Sequence, residues 1–284
     1  MRHKEFFEFA HKRHDIWLKR FRDRKPPPWT DDEILRNYSF TNIYRELDKT
    51  TIWFKENIRD VYCDDARASI FSTIAFRWFN RIETGKIILP FFHPDMWNRE
   101  KVKKILVNRK PLTTGSYRIR TPRGMSNLDG LLFLIQSILD DLDNLTENLI
   151  NAKTIQEATS HLVKYKYLGS FMAYEIATDL RHTCVLNDAT DINEWANPGP
   201  GSRRGLARLM NKDKDAFDET EEEELVLLMQ KLLKLSRDNW KEDHFSPAWE
   251  MREVEHTLCE WDKHERKLHG EGRLRNRFYE EQRT

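Results

Sequence analysis

Asp188 and Asp191 precede Trp195, and the run Gly199-Pro200-Gly201-Ser202-Arg203-Arg204-Gly205-Leu206 follows it. By type and spacing these residues suit chemistry on an anion. Glycines let a backbone approach a ligand closely, and the N–H groups of a helix start attract negative charge. Gly199, Gly201 and Ser202 would present such amides, while Arg203 and Arg204 would add charge-assisted, fork-shaped donors. A phosphate, above all one belonging to a nucleic acid, is the natural guest. A carboxylate at Asp188 or Asp191 could stabilise developing positive charge or accept a proton from a nucleophile. Plainer readings stay open: a Gly-Pro helix start with a solvated basic pair, and helix N-capping by the aspartates.

A second polar group draws on both ends of the chain. Asn42, Arg45 and Asp48 fall at helical spacing around Tyr44, with 45 and 48 as neighbours and 42 one turn earlier. Glu260 and Lys263 are candidates to complete the cluster. It is either part of a substrate site or a buried salt-bridge network joining the first and last helices. His256 and Cys259 stand three apart, which suits a metal, but no second pair completes a tetrahedral set. No metal or cofactor is expected.

Helices must position these residues. Pro26-Pro27-Pro28 separates a basic amphipathic leader, residues 1–25, from a single helical body, 26–284. Thr30 and Glu33 read as a capping box. Helices are predicted over 40 to beyond 53, 64–84, 101–107, 127–142, 144–152, 154–165, 169–180, 203–211, 219–236 and 247–265. Residues 115–120 alternate like a strand, and 86–90 read as a short extended piece ended by proline. There is no internal repeat. The fold class is all-α.

The net charge is only +1 although 33% of residues are charged, so a nucleic-acid partner would need segregated charge. Cations gather in the first 25 residues and at Arg273, Arg275 and Arg277, while 213–224 is an acidic, solvated stretch. Cys63, Cys184 and Cys259 are widely separated, which suits a reducing compartment. No apolar span of membrane length and no secretory leader is seen, so the expected location is cytoplasmic: the bacterial host cytoplasm for a viral protein, the nucleus for a eukaryotic one. No membrane partner is expected.

Tyr165 to Ala173 resembles the second half of a helix-hairpin-helix element, whose consensus is apolar-Pro-Gly-apolar-Gly-x-x-x-Ala. Gly169 would make the sharp turn, Ala173 would let the helices approach, and the start of the second helix would grip a DNA phosphate. Tyr167 stands where the first glycine belongs. An ordinary joint between two core helices is the alternative. The element spans about 155–182.

Three blocks carry a wider resemblance. They are Arg22-Asp23 through Pro26 with Tyr38-Ser39-Phe40-Thr41-Asn42-Ile43-Tyr44-Arg45-Glu46-Leu47-Asp48, the stretch from Leu168 through Asp191 and Trp195 to Leu206, and Glu255-His256-Thr257-Leu258-Cys259-Glu260-Trp261-Asp262-Lys263. Together they resemble the alpha-glutamyl/putrescinyl-thymine pyrophosphorylase family, related to the helical domain of 5-hydroxymethyluracil DNA kinases and to amino acid:DNA transferases. The resemblance implies a two-lobed fold similar to helix-hairpin-helix DNA glycosylases, which extrude a nucleotide into a cleft. It also implies work on hypermodified thymine in bacteriophage DNA. An amine such as an amino acid or polyamine would displace phosphate or pyrophosphate from phosphorylated 5-hydroxymethyluracil. In that reading Asp191 or Glu260 deprotonates the amine, with Asp188 and Lys263 alongside, and the Gly-Pro-Gly amides with Arg203 and Arg204 stabilise the leaving group. Tyr167 and Gly169 would hold DNA. Thr84-Gly85-Lys86 lacks the upstream glycine of a phosphate loop, so a separate DNA kinase is a possible partner. Two alternatives remain: a non-catalytic DNA-binding module working with such a kinase, and a DNA glycosylase.

Overall fold

The computed structural model describes residues 1–114 and 120–271, so the strand expected at 115–120 falls almost wholly outside the described residues. Among the described residues the chain is helical and contains no strand; an isolated bridge joins Asp243 and Ser246. It divides into two compact units, Met1–Asp48 with Ile192–Thr284, and Lys49–Asp191.

The first unit holds α1 (His3–Trp17), α2 (Glu33–Asn37), α11 (Pro200–Leu209), α12 (Glu222–Asn239) and α13 (Met251–Leu268). The basic leader is mostly α1, and its apolar stripe of Phe6, Phe7, Phe9 and Ala10 is buried in this unit's core. Phe6 meets Trp249 and Trp261 edge-on, at ring-centre distances of 6.0 and 5.5 Å. Helices α11 and α13 cross closely because two glycines remove the obstructing carbon. A Cβ on Gly205 would lie 2.5 Å from the Leu258 carbonyl oxygen, and one on Gly201 would lie 2.7 Å from Cys259 Sγ.

The second unit holds α3 (Lys49–Phe54), α4 (Ala66–Phe79), α5 (Ile82–Ile88), α6 (Arg99–Leu106), α7 (Asn127–Asp140), α8 (Leu142–Asn151), α9 (Ile155–Val163) and α10 (Ser170–Leu180). Helix α4 is its axis, buried from Ala68 to Phe79. A helix buried on all sides needs its polar groups satisfied internally. Arg77 accordingly donates to both oxygens of Asp179 on α10, at 2.5 and 2.9 Å, and to Asn80 Oδ1 at 3.0 Å.

Three expected elements differ from those observed. The single helix over 64–84 is two, because Asn80 adopts a left-handed conformation (φ 44°) that ends α4. Residues 86–90 are the end of α5 and a 3-10 turn, not an extended piece. The helix expected from Phe40 starts only at Lys49, after an irregular loop with a 3-10 turn, Arg45–Leu47. Asn42 explains the delay: its side chain and backbone amide both bind Asp48 Oδ1, a local alternative to helix. The cap of α2 is Asp32, whose Oδ1 accepts from Ile34 and Leu35 N–H, while Thr30 accepts from Asp32.

Candidate functional site

In the first unit the loop 38–48 is clamped by α1 and α13. Arg13 on α1 donates to the Phe40 and Thr41 carbonyls and to Asn42 Oδ1, at 2.8–2.9 Å. Asn42 in turn donates to Asp48 from its backbone (2.9 Å) and side chain (2.8 Å). From α13, Glu260 accepts the Thr41 amide at 3.0 Å and His256 meets the Thr41 hydroxyl at 2.7 Å. Lys263 donates to the Ser39 carbonyl and to Glu260 and lies over the Phe40 ring. Asn42, Asp48, Glu260 and Lys263, which sequence reasoning grouped, therefore do meet around this loop. The loop, not helical spacing, gathers them. Tyr44 is buried and its hydroxyl donates to the Pro247 carbonyl; burial raises its phenol.

Burial dominates the electrostatics here. Asp48 is pushed up to about 6 by desolvation, which outweighs the Asn42 bond and nearby Arg13 and Arg45. Desolvation also lifts Glu253 and Glu255 on α13 to about 7 each. His256 moves the other way, to about 4, because burial penalises its charged form. Glu255 accepts from the Cys259 thiol at 3.3 Å and also interacts with Ser202 of α11. A Cβ at Gly199 would stand 3.8 Å from its Oε1. Sequence reasoning missed Glu255, because a glutamate on an amphipathic helix carries no mark of its burial.

The Gly-Pro-Gly turn opens α11 as expected, but its arginines turn inward. Arg203 donates to the carbonyls of Pro198 (3.0 Å), Phe217 (2.9 Å) and Thr220 (2.7 Å). Arg204 and Arg208 both donate to the buried Asp262, at 3.0 and 2.8 Å, and Arg266 lies 3.1 Å from it. Ser202 donates to the Gly199 carbonyl at 3.0 Å, and Trp195 donates to Glu222 at 2.8 Å.

The second unit carries the remaining candidates. Asp191 is buried, and its carboxylate accepts the amides of Ile155 (2.7 Å) and Gln156 (3.0 Å), the first turn of α9. Asp188 is exposed on a turn. Helices α9 and α10 form the hairpin, and here the turn differs from expectation. Tyr167, not Gly169, holds the left-handed conformation, with φ 68°. Gly169 is extended (φ −73°, ψ 166°), caps α10, and has open space where a Cβ would project. Tyr167 is 41% and Phe171 43% exposed, beside the exposed Lys164 and Lys166. Ala173 is fully buried between the helices. Among the described residues no group of three or more His, Cys, Asp or Glu could hold a metal ion, and no helix is long and apolar enough to cross a membrane.

Comparison with known proteins adds a family. The "5-hmdU DNA kinase, helical domain" model matches residues 2–273. A "5-hmdU DNA kinase" of Bacillus phage SP10 is 30% identical over 220 residues, covering 68% of this chain and 34% of the relative. The chain thus spans about a third of the length of the curated relative it matches. No solved structure matches. By the extent of the family match, the chain belongs to the family of 5-hmdU DNA kinase helical domains.

Proposed function

We propose that this chain is a helical module that engages DNA carrying 5-hydroxymethyluracil, within the thymine-hypermodification chemistry of bacteriophages. The observation that carries this reading is family membership over residues 2–273. A kinase acting on a DNA base must hold both a phosphoryl donor and a DNA strand. The donor side has little support in this chain. Thr84-Gly85-Lys86 lies within α5, where a Cβ on Gly85 would strike the Trp53 ring at 2.5 Å, so this glycine serves helix packing. A kinase portion outside these residues, or a partner kinase, would supply that step.

The DNA side has a candidate grip in the α9–α10 hairpin, which we read as helix-hairpin-helix-like. Gly169, which caps α10, is exposed and has open space where a Cβ would project, and the exposed Lys164, Lys166 and Tyr167 precede it; the amides that start α10 are the candidate phosphate donors. A fold similar to the hairpin glycosylases would extrude the modified nucleotide. Fluorescence anisotropy with duplexes carrying 5-hydroxymethyluracil, its phosphorylated form or thymine tests the reading. Tighter binding to either modified duplex is expected, and equal affinity for all three overturns it.

A second reading, transfer of an amine such as an amino acid or polyamine, is favoured by Glu255. This buried carboxylate lies beside Ser202 and Gly199 and is lifted to about 7, so it can take up a proton near neutrality. The amine nitrogen would bond the 5-methylene carbon, the carbon–oxygen bond to phosphate would break, and the ammonium proton would pass to a carboxylate. Glu260 and Lys263, of the same unit, are the other candidates for that proton traffic, with the α11 turn on the leaving group. Phosphate release from phosphorylated DNA with added amines, slowed by Glu255→Gln, is the expected result. Abasic DNA instead would indicate a glycosylase.

A further inference from the structure

The stretch from Arg99 to Gly124 is strongly basic, a segregation of charge opposite in sign to that of the acidic run 213–224. Among its described residues are eight cations, Arg99, Lys101, Lys103, Lys104, Arg109, Lys110, Arg120 and Arg123, against one carboxylate, Glu100. The sign then reverses: residues 126–163 hold six carboxylates and a single cation, Lys153. A chain of net charge +1 has no average excess to explain this.

The local structure keeps these cations together and outward. Val102 and Leu106 bury one side of α6, which leaves Lys101 and Lys104, three apart, on its exposed side. Arg109 and Lys110 follow directly after the helix and are exposed. Lys103 pairs with Asp129 in the first turn of α7 at 2.7 Å. A Cβ on Gly130 of α7 would meet Thr121 at 2.3 Å, so residues 120–123 lie against that same turn. Arg120 and Arg123, both exposed, therefore join the face of α6. Lys101, Lys104, Arg109, Lys110, Arg120 and Arg123 make no ion pair with any described residue. Arg67 of the same unit, by contrast, meets both Asp143 and Asp95.

Like charges held side by side repel, and an array without internal counter-charges is stabilised by a polyanion. Lys101 and Lys104 stand one turn apart on α6, about 4.5 Å along its axis, and Arg109 and Lys110 extend the basic face past the end of the helix. Their long side chains offer no fixed pocket, which suits a repeating backbone more than a single small anion. We propose that α6, with the exposed Arg109, Lys110, Arg120 and Arg123, forms a second contact surface of this module, one that takes the phosphate backbone of duplex DNA without reading its bases. The proposal rests on the reading that the partner is DNA.

The test compares the full chain with the variant K101A/K104A/R109A/K110A. Anisotropy is measured on labelled duplexes with and without 5-hydroxymethyluracil, across a salt series around 0.1 M. The expected result is binding at least about tenfold weaker for both duplexes alike, with the slope of log affinity against log salt reduced by about 3 to 4. Glu100→Lys, which removes the face's one carboxylate, should tighten both complexes. An unchanged slope in a variant whose parent binds DNA overturns this surface and leaves the DNA reading standing. A loss confined to an RNA duplex of the same length also overturns it. A parent that binds neither DNA duplex overturns the reading itself and the surface with it.

Discussion

Two basic stretches of this molecule use the same side chains in opposite ways. The arginines of α11 lie in a unit rich in acceptors, and each is engaged internally: Arg203 by three carbonyls, Arg204 and Arg208 by Asp262. Around α6 Asp129 is taken up by Lys103, Glu100 is the stretch's own carboxylate, and six exposed cations there make no ion pair with any described residue. Guanidinium groups at a helix start suggest anion binding only while their donors stay unfilled; once buried carboxylates fill them, they fasten helices instead. What separates a binding face from an internal brace is thus the count of acceptors nearby, not the count of arginines.

The sharpest way to break that contrast is to remove the acid that holds α11. Asp262 is fully buried among Arg204, Arg208 and Arg266. Asp262→Asn should lower unfolding free energy by about 3 kcal/mol in urea titration, because it removes the carboxylate shared by the buried Arg208 and the part-buried Arg204 and Arg266. If the loss is under about 1 kcal/mol, the arginines of α11 are not internal braces. The glycines give a second, smaller measure. Gly205→Ala would set a methyl 2.5 Å from the Leu258 carbonyl and force α11 from α13, costing about 1–3 kcal/mol. Gly199→Ala meets only ordinary contact, at 3.8 Å from Glu255, and should be nearly neutral in stability. Equal losses at the two positions would place the glycine requirement at the turn and not at the helix crossing.

Much of this organisation was legible in the sequence. Apolar periodicity located α7 to α10, α12 and α13 within a few residues, since each hides one regular stripe. The polar cluster of Asn42, Asp48, Glu260 and Lys263 was legible as a group, although its loop was not: Asn42, Arg45 and Asp48 succeed one another at three-residue steps like helical neighbours, while the Asn42 side chain bonds the Leu47 carbonyl and Asp48 accepts the Asn42 amide. The inward turn of Arg203 was not legible, because its acceptors are the carbonyls of 198, 217 and 220, and carbonyls leave no trace in residue type. The basic face of α6 was spelled out in the chain but overlooked among motifs. Its meaning depends on which carboxylates stand near it, and that is a three-dimensional fact.

Protons offer a further probe of the first unit. Glu255 is held at about 7 when folded, above its ordinary value of 4.5. A raised carboxyl keeps its proton longer in the folded state than in the unfolded one. Its contribution to stability is therefore full below about 4.5 and is lost as pH rises through about 7, at up to about 1.4 kcal/mol per pH unit. Glu255→Gln carries no titrating group, so its stability relative to the parent should climb between about pH 4.5 and 7 and level off above. Glu253, also at about 7, predicts the same trend for its own glutamine variant. His256, depressed to about 4, has the opposite sign: its contribution is full above about 6.5 and is lost as pH falls. Measuring variant minus parent isolates each group from the others. A flat difference across this range would mean that Glu255 is ionised and solvated, and the proton role proposed for it would fail.

The smallest effect tests the hairpin of the second unit. Tyr167 holds φ 68° where the hairpin consensus has glycine, and a left-handed backbone costs a side-chain-bearing residue about 1–2 kcal/mol. Tyr167→Gly should relieve that strain but enlarge the freedom of the unfolded chain, leaving a net gain of at most about 1 kcal/mol in thermal or urea unfolding. DNA affinity supplies the discriminating readout. If the exposed tyrosine ring stacks on a base, Tyr167→Gly weakens binding while stability holds or rises, and Tyr167→Phe keeps the affinity. If affinity survives the glycine unchanged, the hairpin grips through its amides alone, and the tyrosine is merely tolerated at a turn that glycine would make with less strain.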